Sequence, residues 1–338
     1  MRKFILLSLI IPFLAACHND DWDFPDYEYN AVYFSYQYPV RTLTMGEDLF
    51  DTSLDNEHKC KIMATWGGGY TNKSNVIIDF VVDESLCNNL IFKDNEEDVL
   101  PMPSNYYTLA SNKMTIPSKA ISGGVEVQLT PAFFADPLAL QRNYVIPLVM
   151  THVQNADSIL QGKTDVVNPN RCVVDDWEVA PKDYILYAVK YINTWDGNYL
   201  RRGKDVITQG GNTTTEIRRE VYVEDDEICK LNTLSLSELE FPMTFKDENG
   251  NNIDVSLALT FDNENNCTIS SSTTNVTATG TGKFVKKGDK NSWGNKDRDV
   301  LYLQYNVDIA GTQQYVTTDT LVIRDRGVDM ETFEVILK

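Results

Sequence analysis

The sequence predicts an all-β protein, a β-sandwich followed by an antiparallel meander able to close into a barrel. Three observations carry that expectation. Runs rich in β-branched and aromatic residues recur at strand length; Gly, Pro, Asn or Asp separates most of them; helical periodicity is almost absent. At 338 residues the chain is long enough for two domains once an N-terminal leader is set aside.

The leader comes first. Arg2 and Lys3 are the only charges before Asp20, and Phe4 to Leu14 is apolar apart from Ser8 and Pro12. A basic start, a short apolar run and small residues before a cut site describe a secretory signal, and the run falls short of the ~20 residues a spanning helix needs. Leu14-Ala15-Ala16-Cys17 resembles the bacterial lipobox, which implies a signal peptide over residues 1–16 and a lipid on the Cys17 sulfur. Two or more acyl chains make such an anchor stable. Residues 17–30 then read as a lipidated tether. Asp20, Asp21 and Asp23 resemble the acidic export signal of surface lipoproteins in glycan-harvesting gut bacteria. That resemblance implies an outer-membrane, lipid-anchored protein facing the cell exterior.

The strands follow in order. Ala31–Val40, His58–Trp66, Asn75–Asp83, Tyr106–Ser111, Lys113–Ser118, Gly124–Thr130 and Asn143–Val153 are spaced as in a sandwich, with a short helical turn near Pro131–Leu140. Cys60, Ile62 and Ala64 alternate along the core face of the second run. Turn residues, acids and prolines between 168 and 182 place a boundary there, giving a sandwich over 31–175 and a second domain over 182–338. The second series runs through Tyr184–Ile192, Arg219–Glu224, Leu234–Phe241, Ile253–Phe261, Asn275–Val285, Asp299–Ile309, Gln314–Ile323 and Thr332–Leu337. Asn249-Gly250 predicts a type I′ hairpin, and Asp262–Asn266 a second polar hairpin tip. Short turns in sequence order suit an up-and-down barrel.

Composition excludes several functions. The net charge is −19, and loss of Arg2 and Lys3 with the leader takes it to −21. Such a surface repels nucleic acid and anionic headgroups, and no basic stripe offsets it. Lipidation of Cys17 leaves Cys60, Cys87, Cys172, Cys229 and Cys267, an odd number without metal-type spacing, read mostly as small buried hydrophobes. A Cys60–Cys87 bridge is open in an oxidising compartment. No cofactor or metal is expected. The run Glu224–Glu227 lacks the alternate spacing of a calcium loop and reads as solvated charge.

With the lipobox, the sandwich pattern "YTLASNKMTIPSKAISGGVEVQLT…NYVIPLVM" and the opening "YAVKYINTWDGNYLRRGKD" (Tyr187–Asp205), the chain resembles two-domain surface lipoproteins of Sus-type, starch-utilisation-like, gut-bacterial glycan systems. The resemblance implies an immunoglobulin-like sandwich, then a lipocalin-like barrel whose first strand carries Trp195, Gly197 and Tyr199. It implies a non-catalytic role in binding glycan for uptake, beside an outer-membrane transporter complex. It names no sugar.

Catalytic motifs are missing. Only three histidines occur, and there is no G-x-S-x-G elbow, H-E-x-x-H or phosphate loop. A glycoside hydrolase needs only two placed carboxylates, so 49 acidic residues keep it as a further alternative, behind a structural or adhesive surface subunit. Sugars present an apolar ring face and a hydroxyl rim, which a Trp or Tyr beside Asn and Asp can satisfy together. Trp293, in a polar loop with Asn291 and Asn295, ranks first; Trp66 with Tyr70 around three glycines ranks second; Trp195 and Tyr199 rank third, with barrel packing as the competing role.

Overall fold

The computed structural model describes residues 29–338 apart from Glu248, so Cys17 and the acidic cluster after it lie outside the described residues. Alternation builds the first domain. In Lys59–Gly67 the side chains of Cys60, Ile62, Ala64 and Trp66 are buried while their neighbours are not. That strand belongs to a 12-stranded sheet ordered Ser158–Ile159, Ala31–Tyr33, Lys59–Gly67, Ser122–Leu129, Lys113–Ile116, Val76–Val82, Tyr144–Gln154, Tyr184–Ile192, Pro39–Thr44 and Glu331–Thr332, with two short strands off this path. The sheet folds over on itself: Tyr187, late in that order, donates its hydroxyl to Lys61 O at 3.4 Å, near the start of it. Val32, Leu43, Ile62, Ile78, Ile146 and Val189 fill the core between the two halves.

Tyr144–Gln154 and Tyr184–Ile192 read differently, as nearly continuous buried runs. Their second face is covered as well. Val145, Val149, Leu186 and Ala188 pack against Leu90, Phe92 and Phe333, which the C-terminal segment brings back from the far end of the chain. Val335–Leu337 pairs antiparallel with Leu90–Phe92, and Phe333 sits edge-on to Phe92 at 5.2 Å between ring centroids.

Two sequence expectations change here. Tyr184–Ile192 lies in the first domain, antiparallel to Tyr144–Gln154 and parallel to Pro39–Thr44, rather than at the start of the barrel. A run buried on both faces fits a central strand of a large sheet, whereas a barrel wall alternates. Likewise Thr332–Leu337 returns to the first domain instead of closing the second. The chain enters the barrel near Trp195 and leaves it near Arg326, while residues 168–182 form an irregular excursion within the first domain.

The second domain is an antiparallel barrel of eight strands: Gly197–Gln209, Glu227–Ser235, Glu238–Lys246, Asn252–Phe261, Asn266–Ser271, Val276–Ser292, Lys296–Ile309 and Gln313–Asp325. The last pairs with the first over almost its full length and closes the ring. Asn212–Arg218 pairs only with Gly197–Gln209, outside the ring order. Both expected hairpins form. The Asn249-Gly250 turn spans residues 247–251, with Gly250 at φ +82° and Asp247 accepting from the N–H of Asn251 at 2.8 Å. That is a longer loop than a two-residue type I′ turn. The two-residue turn is at Gly210-Gly211, φ +55° and +82°, between paired Gln209 and Asn212. Arg219–Glu224, expected as a strand, contains no strand residues; a 3₁₀ turn begins at Val223.

Arg326 ties the domains together. Its guanidinium donates to Met45 O at 3.1 Å and Glu47 O at 3.3 Å in the first domain, and to Asn193 O at 2.6 Å in the connection. Lys286 of the barrel reaches Glu47 at 2.8 Å beside it.

Candidate functional site: an opening in the barrel wall

Gly197–Gln209 takes two partners in succession along one edge. Residues 197–201 pair with Glu227–Leu231, and residues 203–209 with Asn212–Arg218. Glu238–Lys246 pairs along its whole length with Asn252–Phe261, but with Glu227–Ser235 only over residues 238–240. Two strand edges, Asn212–Arg218 and Phe241–Lys246, are thus left without a neighbouring strand among the described residues. Residues of both line one cavity of about 590 Å³. Pro242 suits its edge. Its cross-strand partner Ser256 sends its N–H to Thr273 Oγ1 at 3.0 Å, away from Pro242, so the position that lacks an N–H is turned to the gap.

Charged side chains form the floor. Asp319, 1% exposed, accepts from Arg201 Nε at 3.1 Å, Arg218 Nη2 at 2.6 Å and the Tyr305 hydroxyl at 2.8 Å. Asp205 pairs with Arg218 and accepts from Thr317 Oγ1 at 2.6 Å. Glu227 lies 3.4 Å from Arg201 Nη1 at the solvent side. Burial opposes the charged form of Arg201, yet Asp319, Tyr305 and Glu227 hold its pKa above the usual value. Burial first, and Asp319 second, push the Tyr305 phenol far up, so it stays a neutral donor. Gly203 makes room for the cluster: a Cβ there would stand 2.1 Å from Asp319 Oδ1 and 2.5 Å from Thr318 O.

An aromatic pair closes the upper end. Phe245 and Tyr315 meet edge to face at 4.8 Å, and the Tyr315 hydroxyl takes the N–H of Lys246 at 3.2 Å and donates to its carbonyl at 3.0 Å. Gln313, 4% exposed, donates Nε2 to that hydroxyl at 2.9 Å. Its Oε1 is buried without a partner, as is Nε of Arg218. A buried polar atom left unpaired costs about 1–3 kcal/mol, and the residues that carry this acceptor and this donor both line the cavity.

The residues singled out from sequence fall elsewhere. Trp66 is in the core of the first domain, its indole N–H 3.3 Å from Asn30 Oδ1, so it offers no stacking face; Tyr70 is exposed in the loop beyond it. Trp195 is buried in the barrel, stacked on Phe261 at 4.0 Å, and the fully buried Tyr199 donates to Trp195 O at 2.7 Å. Trp293 does have apolar company, contrary to its sequence surroundings: Leu200, Val300 and Val322 from three strands pack against it. Its N–H donates to Ile323 O at 3.1 Å, and the Arg298 guanidinium covers the ring at 3.4 Å from the centroid. Trp293 and Tyr199 are brought together along an apolar cleft of about 320 Å³ at the domain junction. Asn291 and Asn295 are exposed near it, both at positive φ. Of the acidic run 224–227, Asp226 is paired with Arg202 and Glu227 with Arg201; among the described residues no group of three or more His, Cys, Asp or Glu side chains suits a metal.

Sequence reasoning missed the floor cluster, although a signal for it exists. Arg201 and Asp205 fall on the same alternating face as buried Tyr199 and Ile207, and Asp319 on that of Tyr315 and Leu321. A charge at an inward position of a barrel strand is the mark to look for.

Comparison with known proteins follows this domain plan. A family model described as a domain of unknown function (DUF5627) matches residues 194–327, the barrel, and an N-terminal-domain model matches residues 27–157. No curated protein matches. A Bacteroides ovatus crystal structure of unknown function is 49% identical over 93% of this chain and 100% of its own, with a TM-score of 0.87. A second Bacteroides ovatus structure, described as a "putative carbohydrate binding protein", is 13% identical over 89% of this chain and 97% of its own, with a TM-score of 0.30. The chain belongs to the same family as the first of these Bacteroides ovatus proteins, built from an N-terminal β-domain and a DUF5627 barrel.

Proposed function

We propose that this protein is a non-catalytic glycan-binding lipoprotein of the outer membrane, anchored through Cys17, and that the opening in the barrel wall is its binding site. The observation that carries the reading is the pairing of unmet hydrogen-bonding groups with an aromatic edge in one cavity. Gln313 and Arg218 line it and carry a buried unpaired acceptor and a buried unpaired donor, and Phe245 with Tyr315 packs into its wall. A saccharide answers all three, with hydroxyls that both donate and accept and a C–H face for the rings. The buried ion cluster supports the same reading, since such clusters are seldom the cheapest way to stabilise a core. Asp205 and Asp319 are engaged by guanidinium groups, an arrangement for holding rather than for proton transfer. The C-terminal strand pairs inside the chain, which favours a binder over an adhesive subunit that donates a strand. The proposed role beside that anchor is delivery of glycan to an outer-membrane transporter.

A glycan array on the full chain without its leader tests the reading. Gln313→Ala should weaken binding of the array's best ligand about three- to tenfold, the worth of one hydrogen bond. Binding unchanged in that variant would move the site elsewhere; no binding to any glycan would end the reading.

A further inference from the structure

The charges around the opening go further than its shape. Three carboxylates (Asp205, Glu216 and Glu227) line it, against the two guanidinium groups of Arg201 and Arg218, and the buried Asp319 pairs with both of these. Lys246 and Asp247 at the rim offset each other. Both guanidinium groups are already taken: Arg201 by Asp319 and Glu227, Arg218 by Asp205 and Asp319. Of the two, only Arg218 Nε lacks an acceptor, and that atom is closed to solvent. Glu216, exposed on the edge strand, forms no ion pair among the described residues, and its backbone pairs in register with Asp205. Glu227 holds Arg201 only at 3.4 Å and is half exposed. The acceptor Gln313 Oε1 is buried in the same cavity with nothing to bind. The lining therefore carries one carboxylate more than its guanidinium groups, with Glu216 outside any ion pair, and this excess beside the Gln313 acceptor calls for a donor that carries positive charge.

We propose that the opening selects an amine-bearing saccharide, a hexosamine unit with a free ammonium group set toward Glu216 and Glu227, and that it rejects acidic sugars. This rests on the glycan-binding reading of the same cavity. Ammonium groups supply three donors and no acceptor, which matches carboxylates and an amide oxygen together. A uronate would place a carboxylate against an uncompensated acidic site on a chain of net charge −19.

Titration calorimetry on the full chain without its leader, at low salt, distinguishes the outcomes with three tetrasaccharide probes: glucosamine, glucose and galacturonic acid. The glucosamine tetramer should bind at least about tenfold more tightly than the galacturonate tetramer, and the advantage should shrink as salt is raised. Glu216→Gln, an exposed position whose change leaves the fold intact, should lower affinity for the glucosamine tetramer several-fold and leave the glucose tetramer unaffected. Galacturonate binding equal to or tighter than glucosamine would overturn the charge selection while leaving glycan binding in place. So would a Glu216→Gln variant that binds all probes as before. Failure of all three probes would overturn the amine selection, while the glycan array decides the binding reading itself.

Discussion

Asp319 is the residue on which the floor of the opening depends, and its removal gives a loss that can be worked out from its partners. Asp319→Ala leaves Arg201 and Arg218 without their shared carboxylate, and the Tyr305 hydroxyl without its acceptor, in a site 1% exposed. Arg218 keeps Asp205 and Arg201 keeps the distant Glu227, so the charge is partly met. Breaking a buried pair from one side typically costs about 3–5 kcal/mol. At about 2–4 °C per kcal/mol for a protein of this class, the melting temperature should fall by about 6–20 °C. Urea denaturation followed by barrel tryptophan fluorescence gives the free energy directly, since Trp195 is stacked inside the barrel. Replacing one partner as well, as Asp319→Leu with Arg201→Met, should recover only part of the loss, because Arg218 and the Tyr305 hydroxyl still lack the carboxylate they shared. A single-variant loss below about 1 kcal/mol would mean that water reaches the cluster and that it is not buried in solution.

Three further outcomes follow from the same structure. Arg326→Met keeps the side-chain stem but removes the donors to Met45, Glu47 and Asn193; it should cost about 2–3 kcal/mol and split a single calorimetric transition into two, and an unchanged single transition would deny Arg326 its role as a latch. Burial pushes the thiols of Cys60, Cys87 and Cys267 up to about 12 and that of Cys172 to about 11, so at pH 8 the folded protein should react with a thiol reagent far more slowly than the unfolded chain; rapid native labelling of these four would refute their burial. Replacement of Asp20, Asp21 and Asp23 by Asn should leave the protein lipidated yet shielded from protease on intact cells, and equal digestion of both forms would remove the acidic patch from the export argument.

Much of the fold was legible because strands announce themselves by period. Lys59–Gly67 and Ile253–Phe261 alternate cleanly, and the polar tips at Asp247 and Asp262 sit where the chain reverses. The misplaced boundary has a physical origin. Tyr184–Ile192 is apolar on both faces because the C-terminal segment around Phe333, some 140 residues away, covers the side that the sandwich core does not. No local pattern reveals such a partner. The site was harder still. Trp293 looked isolated because its neighbours in sequence are charged, yet Leu200, Val300 and Val322 converge on it from separate strands. Conversely, Arg201, Asp205 and Asp319 belong to no motif, and it is barrel closure that turns them inward.

Hydrogen–deuterium exchange on the full chain, with and without the saccharide that binds best on the array, tests the central claim most directly. The opening lies between two strand edges that no other described strand protects, so their exposed amides should exchange quickly in the free protein. A glycan seated there should slow exchange in Asn212–Arg218 and Phe241–Lys246 together, with little change in Lys59–Gly67 or at the Trp293 turn. Protection confined to the Trp293 cleft or to the first domain, with both edges unchanged, would contradict the account.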